Sequence, residues 1–145
     1  MKYNISTGNA GEYFVAGELE RRGFTAAVPM SNTKDFDILA INRLSYQQYA
    51  IQVKTTSYKK KELTLSSKNE TLSGDNIVYI FVSLNELDVP EYHIVPSKIV
   101  AETITASHKK WLETPGKNGQ MHNDNSMRKF NDNDDKYLDN WEILK

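Results

Sequence analysis

The chain has no cysteine, and only four prolines and seven glycines in 145 residues. Without thiols there is no disulfide, no thiolate nucleophile and no cysteine-ligated zinc. Imidazole is scarce too: His93, His108 and His122 show no metal-ligand spacing. Any metal chemistry must therefore rest mainly on oxygen ligands. No apolar run approaches the roughly 20 residues needed to span a membrane. The opening stretch MKYNISTGNAGEYF has one lysine and lacks the apolar segment of a secretory signal. The expectation is a cytoplasmic protein with no membrane partner, in which the Asn-x-Ser/Thr triplets at Asn4 and Asn69 are incidental.

Bulk charge of one sign is also missing. Eighteen Lys and Arg face nineteen Asp and Glu, a formal net charge of −1. A nucleic-acid partner would need a local basic patch. The best candidate is Lys59, Lys60 and Lys61, and a solvated turn is its plain alternative. What remains is ordinary for a globular chain, with 39% apolar and 26% charged residues. One domain over 1–145 and one core suit this length.

Residues 8–23, GNAGEYFVAGELERRG, read as a helix ending at Gly23, and 24–29 as a short strand stopped by Pro29. DFDILAI and YAIQVKTT are predicted strands joined by a turn around 42–47, and ELTLS (62–66) is a weaker strand. NIVYIFVSL (76–84) is continuously apolar and β-branched, the pattern of a strand buried on both faces. EYHIV (91–95) is a last strand, and Pro96 opens a helix to about Leu112. Residues 114–136 are polar and read as a long loop, with NDNDD (131–135) as solvated loop or helix entry. Trp111 and Trp141 are expected as core anchors. This order of elements predicts an α/β domain with a mixed sheet and a C-terminal helical and loop extension over about 90–145.

Alternation along the hairpin brings polar groups together. If Ile41 pairs near Gln48, Asp37 falls opposite Gln52, with Lys54 one step further on the same face. The helix adds Glu12, on the same stripe as Val15, Ala16 and Leu19. A carboxylate on a core-facing stripe needs a partner, and a metal ion or Lys54 would supply one. Asp37 and Glu12 offer hard oxygens of the kind Mg²⁺ takes, and the Val53 carbonyl can add another. Lys54 can orient a water and offset developing negative charge. The plain alternative is a strand-entry Asp37 and a wet hairpin face carrying Gln52 and Lys54.

Glu12 on the first helix, then Asp37, then Gln52-Val53-Lys54, resembles the PD-(D/E)XK nuclease superfamily, which includes restriction enzymes and Holliday-junction resolvases. The resemblance covers about residues 8–84. It implies a restriction-endonuclease-like mixed sheet flanked by helices. Carried over residue by residue, it makes Asp37 the central metal ligand, Lys54 the catalytic lysine and Glu12 the helical acid. Gln52 stands where the motif has an acid, so this is a QxK variant, and Asp35-Phe36 precedes Asp37 without the motif proline. The glutamine carbonyl is a neutral, weaker ligand. The implied activity is Mg²⁺-dependent DNA endonuclease, with Mn²⁺ as a substitute ion. The chain is too short for a large recognition domain, so an active enzyme would be structure-specific, weakly sequence-specific or dependent on a protein partner that supplies recognition, and cutting both strands of a duplex favours a homodimer with one site per subunit. The alternative is a nuclease-fold protein without cleavage, acting as a nucleic-acid-binding or interaction subunit.

Overall fold

The computed structural model describes residues 6–30, 36–59 and 62–145. The first helix, α1, spans Thr7–Arg21. It stops where a glycine can turn the chain, since Gly23 takes a φ of 96° that side-chain-bearing residues rarely adopt. Val15 and Leu19, one turn apart, are fully buried, while Phe14 faces away.

Strands β1 (Phe24–Ala27), β2 (Ile38–Asn42) and β3 (Gln48–Thr56) run antiparallel in turn. β4 (Glu62–Ser66) leaves this sheet. β5 (Ile77–Ser83) then returns parallel to β3, and β6 (Glu91–Pro96) pairs antiparallel with β5. The main sheet thus has five strands in the order β1-β2-β3-β5-β6. Helix α2 (Ser97–Glu113) follows, and β7 (Met127–Asn131) pairs with β4 as a separate antiparallel ribbon.

Two hydrophobic layers sandwich the main sheet. On one face α1 and the chain end pack Val15, Leu19 and Trp141 against Ile38, Ile51, Val53, Ile80 and Ile94. On the other, α2 and the ribbon pack Val100, Ile104, Leu65 and Phe130 against Tyr79, Phe81 and Val95. β5 lies between the layers, and Val78 to Ser83 are all buried, in line with its continuous apolar run. Among the described residues no helix is long and apolar enough to cross a membrane.

Three expectations are corrected. The stretch 114–136 is not all loop, because it contains β7. The inward position of that strand taken by Arg128 hides its alternation. The Arg128 guanidinium is satisfied by Glu70 and by the carbonyls of Asn125 and Met127. Trp111 is not a core anchor but lies on the outer side of α2, its ring stacked between His108 and His122 at centroid distances of 5.5 and 4.1 Å. Trp141 is in the core as expected. Finally, NDNDD is not simply solvated. Asp132 is buried, accepts the amides of Lys136 and Tyr137 at 2.9 Å each, and lies 2.7 Å from His93 Nδ1. This turn carries the chain end along β6, where Ile94 N–H donates to Tyr137 O (3.0 Å) and Asp139 N–H to Tyr92 O (2.8 Å), covering a sheet edge.

Candidate active site

The hairpin has the register that alternation predicts. Ile41 pairs with Gln48 and Ile38 with Ile51, and the paired register ends there, one residue short of Asp37. Asp37 stands one residue before β2 begins, just past the end of the regular ladder. Its own N–H donates to Ile51 O at 2.8 Å. The next amide on β3, Val53 N–H, finds no backbone acceptor and donates instead to Asp37 Oδ2 at 2.8 Å. A carboxylate therefore replaces the missing strand. A carboxylate has about four lone-pair sites, so Oδ1 keeps its capacity to bind a cation. The N–H and C=O of one strand residue lie on the same edge. The Val53 carbonyl thus shares the edge that Asp37 occupies.

The polar groups do not share one face. Ile51 and Val53 point into the α1 layer, so Gln52 and Lys54 point into the other, alongside their β5 neighbours Tyr79 and Phe81. Gln52 is buried and engaged. Lys54 is half-buried and lines a cavity of about 250 Å³ with Thr55, Thr56 and the β4 residues Glu62, Leu63 and Thr64. The site wraps around the sheet edge left open by β2, with Asp37 as its pivot.

Glu12 reaches this edge from α1 and is half-buried rather than fully buried. Partial burial raises its pKa above the ordinary glutamate value, and the charge of Asp37 raises it further. The charge that adds to this rise is that of a second carboxylate, while Lys54 lies on the reverse face of β3. Alternation explains the difference. α1 needs the apolar face of β3, and Lys54 sits on the reverse.

Two carboxylates press on one another beside an amide side chain and a backbone carbonyl. Every donor is a hard oxygen, and the excess charge is negative, so these residues fit a small divalent cation such as Mg²⁺. Among the described residues no group of three or more His, Asp or Glu side chains could hold a metal, so the amide and the carbonyl would have to complete this donor set. Of the expected basic patch, Lys59 is exposed and shares a depression with Glu86 and Asp88, which makes the local charge mixed. Lys60 and Lys61 lie outside the described residues. The part played by β4 was invisible in the sequence, because β4 is held in place by β7, more than 60 residues further on.

No protein-family model matches the chain, and no curated protein matches it. Among solved structures, a bacterial homing endonuclease, I-Ssp6803I, superposes with a TM-score of 0.55 at 11% identity, covering 99% of this chain and 92% of that one. The Holliday junction resolvase Hjc from the archaeal hyperthermophile Archaeoglobus fulgidus gives a TM-score of 0.50 at 17% identity, covering 86% and 84%. At such identities the likeness is one of fold. The fold is the restriction-endonuclease-like mixed sheet flanked by helices, as the sequence led us to expect.

Proposed function

We propose that the chain is a divalent-metal-dependent endonuclease that hydrolyses DNA phosphodiester bonds. The observation that carries this reading is the Asp37 carboxylate at the open edge of β3, where it takes the place of the β2 backbone and accepts the Val53 amide at 2.8 Å. Asp37, Glu12, the Gln52 side-chain oxygen and the Val53 carbonyl would hold Mg²⁺, with Mn²⁺ as a substitute. Bound there, the ion supplies neutralisation of phosphate charge and a more acidic water.

The remaining chemistry belongs to the chain. Lys54 has three N–H donors and no acceptor, so as an ammonium it is not a proton acceptor. Its role is to orient the attacking water and to offset charge growing on the phosphoryl oxygens. The cavity it lines gives the phosphate a place beside β4. Asp37 holds the Val53 amide and so fixes the carbonyl next to it. Each chain carries one such site, so cutting both strands of a duplex requires a homodimer or two encounters. Lys59 is too closely neighboured by acids to provide the main phosphate contact.

A second reading rests on Gln52. With one acid fewer at the motif position, the chain could be a nuclease-fold subunit that binds nucleic acid or a partner protein without cutting. A screen over duplex, single-stranded and branched DNA and RNA, with Mg²⁺, Mn²⁺ or EDTA, separates the two. Metal-dependent cleavage that disappears in Asp37→Asn supports the enzyme. Binding without cleavage under every condition supports the subunit.

A further inference from the structure

Helix α1 meets β3 at Gly11. A Cβ placed on Gly11 would lie 1.8 Å from Thr55 Oγ1 and 2.8 Å from both Cβ and Cγ2 of Thr55. Such distances are forbidden, so any side chain there must push the helix off the strand or push the strand away. The other two glycines of the helix, Gly8 and Gly17, have nothing within 4 Å of the same position. Thr55 adds a second peculiarity. Its hydroxyl is buried and, among the described residues, has no hydrogen-bond partner. A buried unpaired hydroxyl is normally unfavourable. Here it fills the notch left by a missing side chain.

The position of this contact matters more than its closeness. Gly11 immediately precedes Glu12, and Thr55 immediately follows Lys54. The contact is therefore one residue from the helical acid and one residue from the strand's lysine. We infer that Gly11 and Thr55 form a seat that sets the height of α1 above β3 and thereby holds Glu12 against Asp37. They are positioning residues, and the inference rests on the metal-site reading above. Turning the Thr55 hydroxyl aside still leaves its Cβ at 2.8 Å, so an ordinary van der Waals contact of about 3.5 Å needs a withdrawal of at least roughly 0.5–1 Å. Mg²⁺ takes oxygens only near about 2.0–2.1 Å, so a carboxylate moved that far leaves the coordination shell.

The test compares Mn²⁺ affinity, measured by calorimetry, with melting temperature in a set of variants. Gly11→Ala should weaken Mn²⁺ binding to the level of Glu12→Gln, a loss of about 10–100-fold typical of removed metal-orienting contacts. The double variant Gly11→Ala/Glu12→Gln should bind no more weakly than Glu12→Gln alone, because the acid is already out of place. Gly17→Ala, on open ground in the same helix, should bind like wild type. Gly11→Ala/Thr55→Gly removes all three clashing atoms and should recover most of the affinity. A purely structural contact would lower the melting temperature while leaving Mn²⁺ affinity alone, and that result overturns the inference. So does additivity with Glu12→Gln. If Gly11→Ala does not fold, the paired Gly11→Ala/Thr55→Gly variant decides. Folding with near wild-type Mn²⁺ affinity supports the seat, and failure to fold or to bind overturns it. If wild type binds no Mn²⁺, the metal reading fails by itself. A crystal structure of Gly11→Ala, or of the paired variant, then still decides. In Gly11→Ala, α1 withdrawn with Glu12 away from Asp37 upholds the seat, and an unmoved helix refutes it. In the paired variant, α1 must return to its wild-type height.

Discussion

Replacing Asp37 separates its two jobs. The first is structural. Val53 is 8% exposed, and its N–H has Asp37 Oδ2 as acceptor at 2.8 Å where β2 offers no backbone. Asp37→Ala leaves that donor unmet, at a cost of about 1–3 kcal/mol. For a chain of this size each kcal/mol moves the melting temperature by roughly 3–4 °C, so a fall of about 3–12 °C is expected in EDTA. Asp37→Asn keeps a carbonyl acceptor for Val53 and removes the charge. It gives up the extra strength of a charge-assisted bond, on the order of 1 kcal/mol, and relieves Glu12 of its like-charged neighbour. These effects oppose, so Asp37→Asn should melt within a few degrees of wild type. The second job is binding. Mn²⁺ at about 100 times its dissociation constant stabilises a protein that binds it only when folded by about 2.7 kcal/mol, or roughly 10 °C here. Both variants should lose that increment. Circular dichroism melts of the three proteins, metal-stripped and then titrated with Mn²⁺, give all six numbers. An Asp37→Asn protein that keeps the Mn²⁺ increment would refute the metal site. An Asp37→Ala protein as stable as Asp37→Asn in EDTA would refute the structural half.

Other consequences follow from the same geometry. Lys54→Ala should lower cleavage by about 10²–10³-fold, the scale of a lost electrostatic stabiliser, with Mn²⁺ affinity nearly unchanged, as single-turnover rates and calorimetry will show. Gln52→Glu should tighten Mn²⁺ binding and Gln52→Ala should weaken it without unfolding the protein, both read by the same calorimetry. Glu12 has a pKa raised by burial and then by Asp37. Its folded form therefore holds a proton that the unfolded chain releases, so the metal-free protein should lose stability as pH rises through the window between the ordinary glutamate value and the raised one. Urea unfolding should show this slope in wild type and a flatter one in Glu12→Gln. Mn²⁺ affinity should run the other way, falling as acid protonates Glu12.

Much of this was legible in the sequence because strand alternation has a period of two. A one-residue slip would turn Ile38 and Ala40 out of the core, so the hairpin register follows from the apolar pattern alone, whereas the expected Asp37–Gln52 pair is not part of the ladder, which ends at Ile38 and Ile51. The unbroken run of β5 marked an interior strand of the sheet equally well. What failed was tied to distance along the chain. β7 carries an inward Arg128 whose partner Glu70 lies far upstream, so its pattern reads as loop. Trp111 was assigned to the core by its size, but stacks with His108 and His122 at the surface, where an aromatic ring can satisfy itself locally. The Gly11 seat left no trace either. A glycine in a helix looks like a modest loss of propensity, and only the approach of Thr55 shows that the missing Cβ is the point. The neighbour of Glu12 is the instructive case. The rule that put Gln52 and Lys54 on one face also put Lys54 on the side away from α1, and the sequence contained that conclusion once α1 was assigned to the Ile51 and Val53 face.

The glutamine at position 52 then has a physical account. Its side chain is buried beside the fully buried Tyr79, one residue before the Val53 amide that donates to Asp37. Cross-strand neighbours stand about 5 Å apart when directly opposed and about 7–8 Å apart when diagonal. Two like charges at those separations repel by on the order of 2–3 kcal/mol at an effective dielectric constant of 20. Glu12 already responds to Asp37. A third carboxylate would add burial and repulsion to a metal-free site, in a fold whose total stability is of order 5–15 kcal/mol. The amide keeps an oxygen donor and drops the charge. On the proposed reading this also sets the balance of the filled site. The charges of Asp37 and Glu12 match one divalent cation, the cavity's own acid Glu62 lies 3.7 Å from Lys129, and Lys54 is left in excess, lining the cavity beside β4 where an anionic phosphodiester would lie. An acid at position 52 would cancel that excess. The same change that holds the metal more tightly would make the site less attractive to the phosphate, so the glutamine trades metal affinity for a positive face towards the substrate.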